Sequence, residues 1–309
     1  MSYFYGPVPS RRLGLSLGVD LLPKKSCSFD CLYCQLGPSS NKRLKRLFYI
    51  DIKKFKRELR EIIKDKPQID YITISGSGEP TLHNNLDKII ALIKKETKNR
   101  FPVCLITNSS LLYRKDVRRE IKKADLIIPS LDAACAKTFY EINRPAKKID
   151  FRKILAGLLG LRREFKGKIW LEIMLVKGVN DSLEEAEKFS RIIKKIKPDK
   201  IQLNIPVRPS ALKLSLPDKR RILKVAKIIS RDIEVVTGFP GGKREAKKIK
   251  NLSTKIINFL KVRPATYKDL ANSLGVERRS IKLASDLLLK KSQIKTCWYN
   301  RKKYFTIYD

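Results

Sequence analysis

Three cysteines fall within eight residues of this 309-residue chain, in the run Cys27-Ser28-Phe29-Asp30-Cys31-Leu32-Tyr33-Cys34. Thiolates at these spacings can wrap one soft metal centre. A structural zinc wants four closed ligands. The next cysteine, Cys104, is 70 residues on, and the only histidine, His83, is 49 residues on. A fourth ligand from far along the chain stays open but nothing in the spacing forces it. A 4Fe–4S cluster held by three cysteines keeps one iron open to a small molecule, which suits an enzyme that must bind and reduce something. A second run, Gly76-Ser77-Gly78-Glu79-Pro80, follows the apolar stretch Tyr71–Ser75. It reads as a glycine turn that lets a ligand approach the backbone closely. It lacks the Gly-Lys-Ser/Thr of a phosphate loop, and a carboxylate at Glu79 suits a cationic ligand group. An ordinary strand-to-helix turn is the competing reading.

These residues need elements to hold them. Apolar, β-branched runs occur at Leu17–Leu22, Tyr71–Ser75, Val103–Thr107, Leu126–Ser130, Ile169–Val176, Ile201–Ile205 and Ile233–Thr237. Helical spacing lies between them, with Ile89, Leu92 and Ile93 on one face and Ile192, Ile193 and Ile196 on another. Near-continuous apolar strands alternating with helices predict an α/β fold with a parallel sheet covered by helices. About six such units fit a partial (β/α)6 TIM-type barrel or an open doubly wound sheet. In either, chemistry sits at the C-terminal strand ends. Asn108, Ser130, Asp132 and Asn204 stand at such ends, where capping and turn formation also explain them.

The pattern changes near residue 240. Residues 1–240 read as the barrel domain and 241–250 as a linker, within the glycine-, proline- and charge-rich run Gly238–Lys250. Residues 251–309 read as a basic domain. It has a helix over Ser253–Lys261 with Ile256, Ile257 and Leu260 inward, and a second from Thr266, capped by Asp269 and ended by Gly275. A third spans Glu277–Lys291 with Ile281, Ala284, Leu287 and Leu288 inward. Two strands, Ile294–Tyr299 and Lys303–Tyr308, flank Asn300–Arg301. Three helices and a hairpin predict a winged helix-turn-helix. In that fold Arg278, Arg279 and Lys282 begin the third helix, and Arg301, Lys302 and Lys303 form the wing tip, where they can meet nucleic acid. Trp298 and Tyr299 are expected in the core.

Composition sets the remaining bounds. The formal net charge is +38, which favours a polyanionic partner. Residues 243–309 hold 18 Lys and Arg against 5 Asp and Glu, a net positive charge per residue roughly twice that of the rest. A single histidine excludes any site built on two or more histidines. The six cysteines are too lopsided for a secreted disulfide framework. Cys104 and Cys135 read as buried small hydrophobes. No 18-residue apolar run and no apolar leader are present, so a cytoplasmic protein with no membrane span is expected.

The cysteine run, with aromatic Tyr33 just before the last cysteine, resembles the radical S-adenosylmethionine (SAM) superfamily. The likeness covers roughly residues 1–240. It implies a 4Fe–4S cluster on Cys27, Cys31 and Cys34, whose open iron chelates SAM. It also implies reductive cleavage of SAM to a 5′-deoxyadenosyl radical that abstracts a substrate hydrogen, and a flavodoxin- or ferredoxin-type electron donor. Gly76, Ser77, Gly78 and Glu79 then correspond to the turn that holds the methionine ammonium, with Ser77 replacing a glycine. Tyr33, Asn108, Ser130 and Asp132 become SAM contacts. The opening Tyr5–Gly14 and the run Ser75–Leu82 resemble the branch related to tRNA wyosine-base (4-demethylwyosine) synthases, which implies modification of tRNA or other RNA. That branch carries additional cysteines for a second cluster, and this chain has none before Cys27. Two other readings stand beside it. One is a radical SAM activase acting on a partner protein. The other is a non-enzymatic metal- or redox-sensing winged-helix regulator, against which the Glu79 turn argues.

Overall fold

The computed structural model describes residues 2–38, 41–210, 212, 214–236 and 251–307. The predicted linker, 241–250, and the final residues of two predicted strands, Thr237 and Tyr308, lie outside the described residues.

Eight strands make one sheet in chain order: β1 (Phe4–Ser10), β2 (Gly14–Val19), β3 (Tyr71–Ile74), β4 (Val103–Thr107), β5 (Leu126–Pro129), β6 (Lys168–Met174), β7 (Lys200–Asn204) and β8 (Ile233–Val236). The sheet curls into a half-barrel. β1 is antiparallel to β2, and every other neighbouring pair is parallel. The seven apolar runs of the sequence are the seven parallel strands β2–β8, joined by the six helical crossovers expected. β1 went unseen because Gly6, Pro7 and Pro9 interrupt it. Proline cannot donate to a ladder, and an edge strand is where a sheet tolerates it. The β1–β2 register is irregular between Tyr5 and Val8.

Helices α1 (Ile52–Lys64), α2 (Leu86–Glu96), α3 (Lys115–Ile121), α4 (Ala136–Asn143), α5 (Phe151–Glu164), α6 (Leu183–Ile196) and α7 (Lys219–Ile229) connect the parallel strands. Side-chain oxygens fix several starts: Asp51 accepts from the Lys53 and Lys54 amides, Asp150 from Lys153, Ser182 from Glu185 and Asp218 from Arg221.

The strands bury both faces, but differently. Leu17, Val19, Ile72, Ile74, Val103, Leu105, Leu171, Ile173 and Leu203 join the main core with the helices. The alternate residues face the barrel interior. There Leu13, Cys104, Leu126 and Ile128 form a small separate apolar cluster. Polar side chains share that interior face: the Ser16 and Thr73 hydroxyls lie 2.6 Å apart, and Gln202 donates to Glu234 at 2.7 Å. Glu172 and Asn204 are also buried on strand residues of this face. A fully apolar interior would be a plug; this one leaves a polar chamber.

The C-terminal part holds α8 (Leu252–Val262), α9 (Tyr267–Leu274), α10 (Arg278–Lys290) and the antiparallel strands β9 (Lys295–Tyr299) and β10 (Lys302–Thr306). Thr266 and Asp269 form a reciprocal capping box, and Gly275 ends α9 at φ +63°. Asn300 and Arg301 both take positive φ in the two-residue turn. Its core of Ile256, Phe259, Leu260, Leu270, Ile281, Leu288 and Phe305 also takes in Val8 of β1. Tyr299 donates to the Pro206 carbonyl at 2.8 Å and Tyr304 to that of Val207 at 3.0 Å. The C-terminal part is thus tied to both β1 and the segment after β7. Two inward expectations fail: Leu287 is 56% exposed and Trp298 is 72% exposed. Phe259 is buried in this core, and Ile257, expected inward, packs against it only half-buried. No helix among the described residues is long and apolar enough to cross a membrane.

Candidate cofactor site

Cys27, Cys31 and Cys34 lie on the long loop between β2 and α1. Two structures hold that loop. From one side, the end of α4 clamps it: the Asp30 amide donates to the Asn143 carbonyl at 3.1 Å, Leu32 to Ile142 at 3.0 Å, and Ala146 to Ser28 at 2.9 Å. From the other, the glycine turn pairs with it. Ser26 bridges Gly78, and the Glu79 amide donates to the Ser26 carbonyl at 2.9 Å. A Cβ on Gly78 would sit 2.0 Å from that same carbonyl oxygen. Gly78 is therefore required by close approach of two backbones. Gly76 is required by its φ of +145°.

All six cysteines are free thiols. Burial pushes Cys27 up to about 12, with the nearby Glu79 carboxylate adding to it. Burial also raises Cys31 and Cys34. Two amides point at the sulfurs: Asn108 Nδ2 is 3.5 Å from Cys27 Sγ and Asn143 Nδ2 is 3.4 Å from Cys31 Sγ. Among the described residues no three His, Cys, Asp or Glu side chains converge on a single metal ion.

Cys27 and Cys34 open onto a chamber of about 350 Å³ inside the half-barrel. Tyr33, Gly76, Ser77 and Gly78 line it too, as does Asn204. The other expected contacts do not line it. Glu79 is turned inward and 2% exposed. Its carboxylate accepts from Thr81 N (3.0 Å), Thr81 Oγ1 (2.5 Å), Thr107 Oγ1 (2.6 Å) and Asn108 N (2.7 Å). Burial raises its pKa while these donors lower it. Asp132 accepts from the Tyr33 hydroxyl, from Asn143 Nδ2 at 2.8 Å and from the Met174 amide at 2.9 Å. Ser130 works through its backbone, donating to Thr107 and accepting from Ser109 Oγ at 2.7 Å. Asp20, at the end of β2, accepts from both the amide and hydroxyl of Ser77.

Sequence reading missed Asp20, Asn143 and the arginines of the chamber: Arg11, Arg12, Arg208 and Arg263. Arg11 and Arg12 stand within the opening motif Tyr5–Gly14 and Asp20 follows it at the end of β2, so these were findable there. Asn143 sits at a helix end, and Arg208 and Arg263 come from far along the chain, so no spacing signals them.

The six basic residues proposed for nucleic acid, Arg278, Arg279, Lys282, Arg301, Lys302 and Lys303, are all exposed. The cysteine loop and the glycine turn meet; these six lie elsewhere, on α10 and at the turn and start of β10.

A family model described as the radical SAM superfamily matches residues 22–190. A protein of Brachyspira hyodysenteriae named GTPase Obg is 42% identical over 93% of this chain, but the chain spans only 42% of that protein's length. No Gly-Lys-Ser or Gly-Lys-Thr occurs in this sequence, so the GTPase of that name is not carried over. A UPF0026 protein of Methanocaldococcus jannaschii is 38% identical over 76% of this chain and 73% of its own. A Thermotoga protein named probable dual-specificity RNA methyltransferase RlmN is 26% identical over 66% of this chain and 58% of its own. Among solved structures, a radical SAM methyltransferase from Sphaerobacter thermophilus aligns with TM-score 0.55 at 18% identity, covering 71% of this chain and 65% of that one. At that identity the likeness is one of fold.

Proposed function

The chain belongs to the radical SAM superfamily, whose members use a 4Fe–4S cluster and SAM, and from that premise we propose that this enzyme modifies tRNA or another RNA in the cytoplasm. One observation carries the reading: two cluster-type cysteines and a glycine turn share the chamber at the C-terminal ends of the parallel strands. The donor set suits the cluster. Three free thiols stand on one loop, and amides of Asn108 and Asn143 reach two of the sulfurs. When bound, the cluster supplies one electron that cleaves SAM to a 5′-deoxyadenosyl radical able to abstract a substrate hydrogen.

In this reading Cys27, Cys31 and Cys34 hold the cluster. Gly76, Ser77 and Gly78 offer backbone to the SAM methionine, and Tyr33 packs beside it. Glu79, Asn108, Ser130 and Asp132 are positioning residues. Glu79 ties the glycine turn to the end of β4, and Asp132 ties Tyr33 to Asn143 and β6. The half-barrel walls exclude water from the reacting atoms.

The RNA assignment rests on three supports. The charge is +38. The opening motif resembles the wyosine-base synthase branch. The RlmN relative is named for RNA methylation. The C-terminal part, read as a winged helix-turn-helix, would place Arg278, Arg279, Lys282, Arg301, Lys302 and Lys303 on RNA phosphates. An A-form major groove is too narrow for side-chain readout, so these contacts position the RNA. The electron donor would be a flavodoxin or ferredoxin.

One observation favours a second reading, an activase for a partner protein. The outward face of α10 carries Leu283, 62% exposed, and Leu287. The test is 5′-deoxyadenosine release by the anaerobically reconstituted full chain, given SAM and a strong reductant, with and without total tRNA. Stimulation by tRNA supports RNA modification. Release indifferent to tRNA returns the substrate to the second reading. No release from cluster-loaded protein overturns both.

A further inference from the structure

The ribbon of β9 and β10 carries the most exposed large apolar side chain among the described residues, Trp298. The ladder fixes its neighbours. Trp298 stands directly opposite Lys303, so the two share one face of the ribbon. The other face holds Tyr299 and Tyr304, whose hydroxyls donate to the carbonyls of Pro206 and Val207. These bonds pin that face to the segment after β7. Two residues beyond Lys303 on the Trp298 face lies Phe305, fully buried in the C-terminal core. The ribbon therefore covers a core at one end and runs past it at the other. Trp298 sits on the part that runs past, on an anchored backbone.

A single exposed apolar residue needs no explanation by itself. The setting of this one gives it meaning. From Leu287 to Tyr308 the sequence has no Asp or Glu, and Arg301, Lys302 and Lys303 follow Trp298 closely. All three are exposed. Neither Trp298 nor these three cations makes a ring contact or an ion pair with a described residue. A flat indole flanked by cations alone fits a planar, anionic partner, a nucleotide with its base on the ring and its phosphate on the lysines. Every base has a π face, and cations beside the ring track the backbone. The base must be unpaired, because a paired base keeps both faces inside its stack.

We infer that Trp298 is a stacking platform for an unpaired base of RNA, with Lys303 beside it on the phosphate backbone. The inference rests on the RNA reading proposed above and deepens it. Basic residues alone would accept any duplex, whereas the indole selects a loop, a bulge or a single-stranded end. Roles within the ribbon then separate. Arg301, Lys302 and Lys303 supply charge, whose effect falls as salt rises. Stacking releases no counterion, so its share of the affinity persists in salt.

The experiment measures binding of labelled oligoadenylate, and of an RNA duplex of equal length, to the full chain by fluorescence anisotropy across a range of salt. Wild type is compared with Trp298→Ala, Trp298→Phe and Lys303→Ala, each checked for folding by circular dichroism. Trp298→Ala is expected to weaken oligoadenylate by about tenfold at every salt concentration, leaving the slope of log Kobs against log salt unchanged. Trp298→Phe should keep most of the affinity. Lys303→Ala should instead flatten the slope by about 0.7 on the single strand. Duplex binding should not change with the ring. The chain has two tryptophans, so in a Trp170→Phe background Trp298 is the sole indole, and bound oligoadenylate should quench its emission. Equal single-strand affinity in wild type and Trp298→Ala overturns the platform. So does an equal loss on duplex, unquenched emission from saturated protein, or no RNA binding at all. Release of 5′-deoxyadenosine with and without tRNA is read separately on wild type. Quenching beside release indifferent to tRNA would sink the RNA-modification reading and leave the platform standing. Release stimulated by tRNA beside unquenched Trp298 would do the opposite and leave the ring to a protein partner.

Discussion

The carboxylate of Glu79 accepts four hydrogen bonds from Thr81, Thr107 and Asn108 in a space closed to water. Glu79→Gln substitutes a donor for one acceptor oxygen and leaves part of that network unmatched. The cost should be about 1–3 kcal/mol, read as a lower Tm, with weaker SAM binding as a consequence. An unchanged Tm beside weakened SAM binding would mean that Glu79 turns outward to the ligand instead. Cys31→Ala should abolish cluster colour and 5′-deoxyadenosine release; full release from that variant would refute the assignment of the cysteines. His83 offers a test remote from this chemistry. It is fully buried, 5.0 Å from the Phe48 ring, with neither ring nitrogen hydrogen-bonded to a described residue. Burial pulls its pKa down to about 4, with Arg46 repelling and Glu120 attracting its charged form. An unfolded chain takes up a proton near its ordinary pKa of about 6.5, which the folded chain refuses until about 4. This stability is complete above about pH 6.5 and is lost as pH falls to about 4, on the order of 3 kcal/mol. Urea unfolding of wild type and His83→Phe across that range should diverge in slope. Parallel curves would show that His83 does not carry the effect.

At the scale of elements, two loops make the site by meeting. Gly78→Ala would put a Cβ 2.0 Å from the Ser26 carbonyl oxygen, backbone against backbone. Relief requires the glycine turn to part from the cysteine loop. The variant should lose about 1–3 kcal/mol and load less iron per chain, whereas Ser77→Gly, which removes only the Asp20 hydroxyl contact, should load normally. Full iron and an unchanged Tm in Gly78→Ala would show that the approach is dispensable. The parallel strands, the capping box at Thr266 and the Gly275 stop could be read from the sequence, because period and cap chemistry act over a few residues. Three things could not. β1 is written in glycine and proline, which local propensity disowns and a sheet edge accepts. The side of α10 that carries Leu287 was misassigned, since one helical face looks apolar whether it meets a core or open solvent. Arg208 and Arg263 share a chamber only because the C-terminal part packs on β1 and on the segment after β7, and no spacing rule spans such distances.

Across the whole molecule the charge of +38 acts at two ranges. Within the chamber a few guanidiniums are buried and desolvated. Over the surface, many lysines and arginines are hydrated, screened and additive. Only the second kind should follow the counterion-release law. If Arg278, Arg279, Lys282, Arg301, Lys302 and Lys303 each meet a phosphate, log Kobs against log salt should fall with a slope near −5 on duplex and near −4 on single strands, as about 0.9 and 0.7 per phosphate require. Arg278→Ala with Arg279→Ala should flatten the slope by about 2 on duplex and leave 5′-deoxyadenosine release without RNA intact, because neither residue touches the chamber. A double variant whose slope matches wild type would remove the C-terminal face from RNA binding. The charge would then act as a diffuse field, and the exposed Leu283 and Leu287 would be left as the better guide to what this face meets.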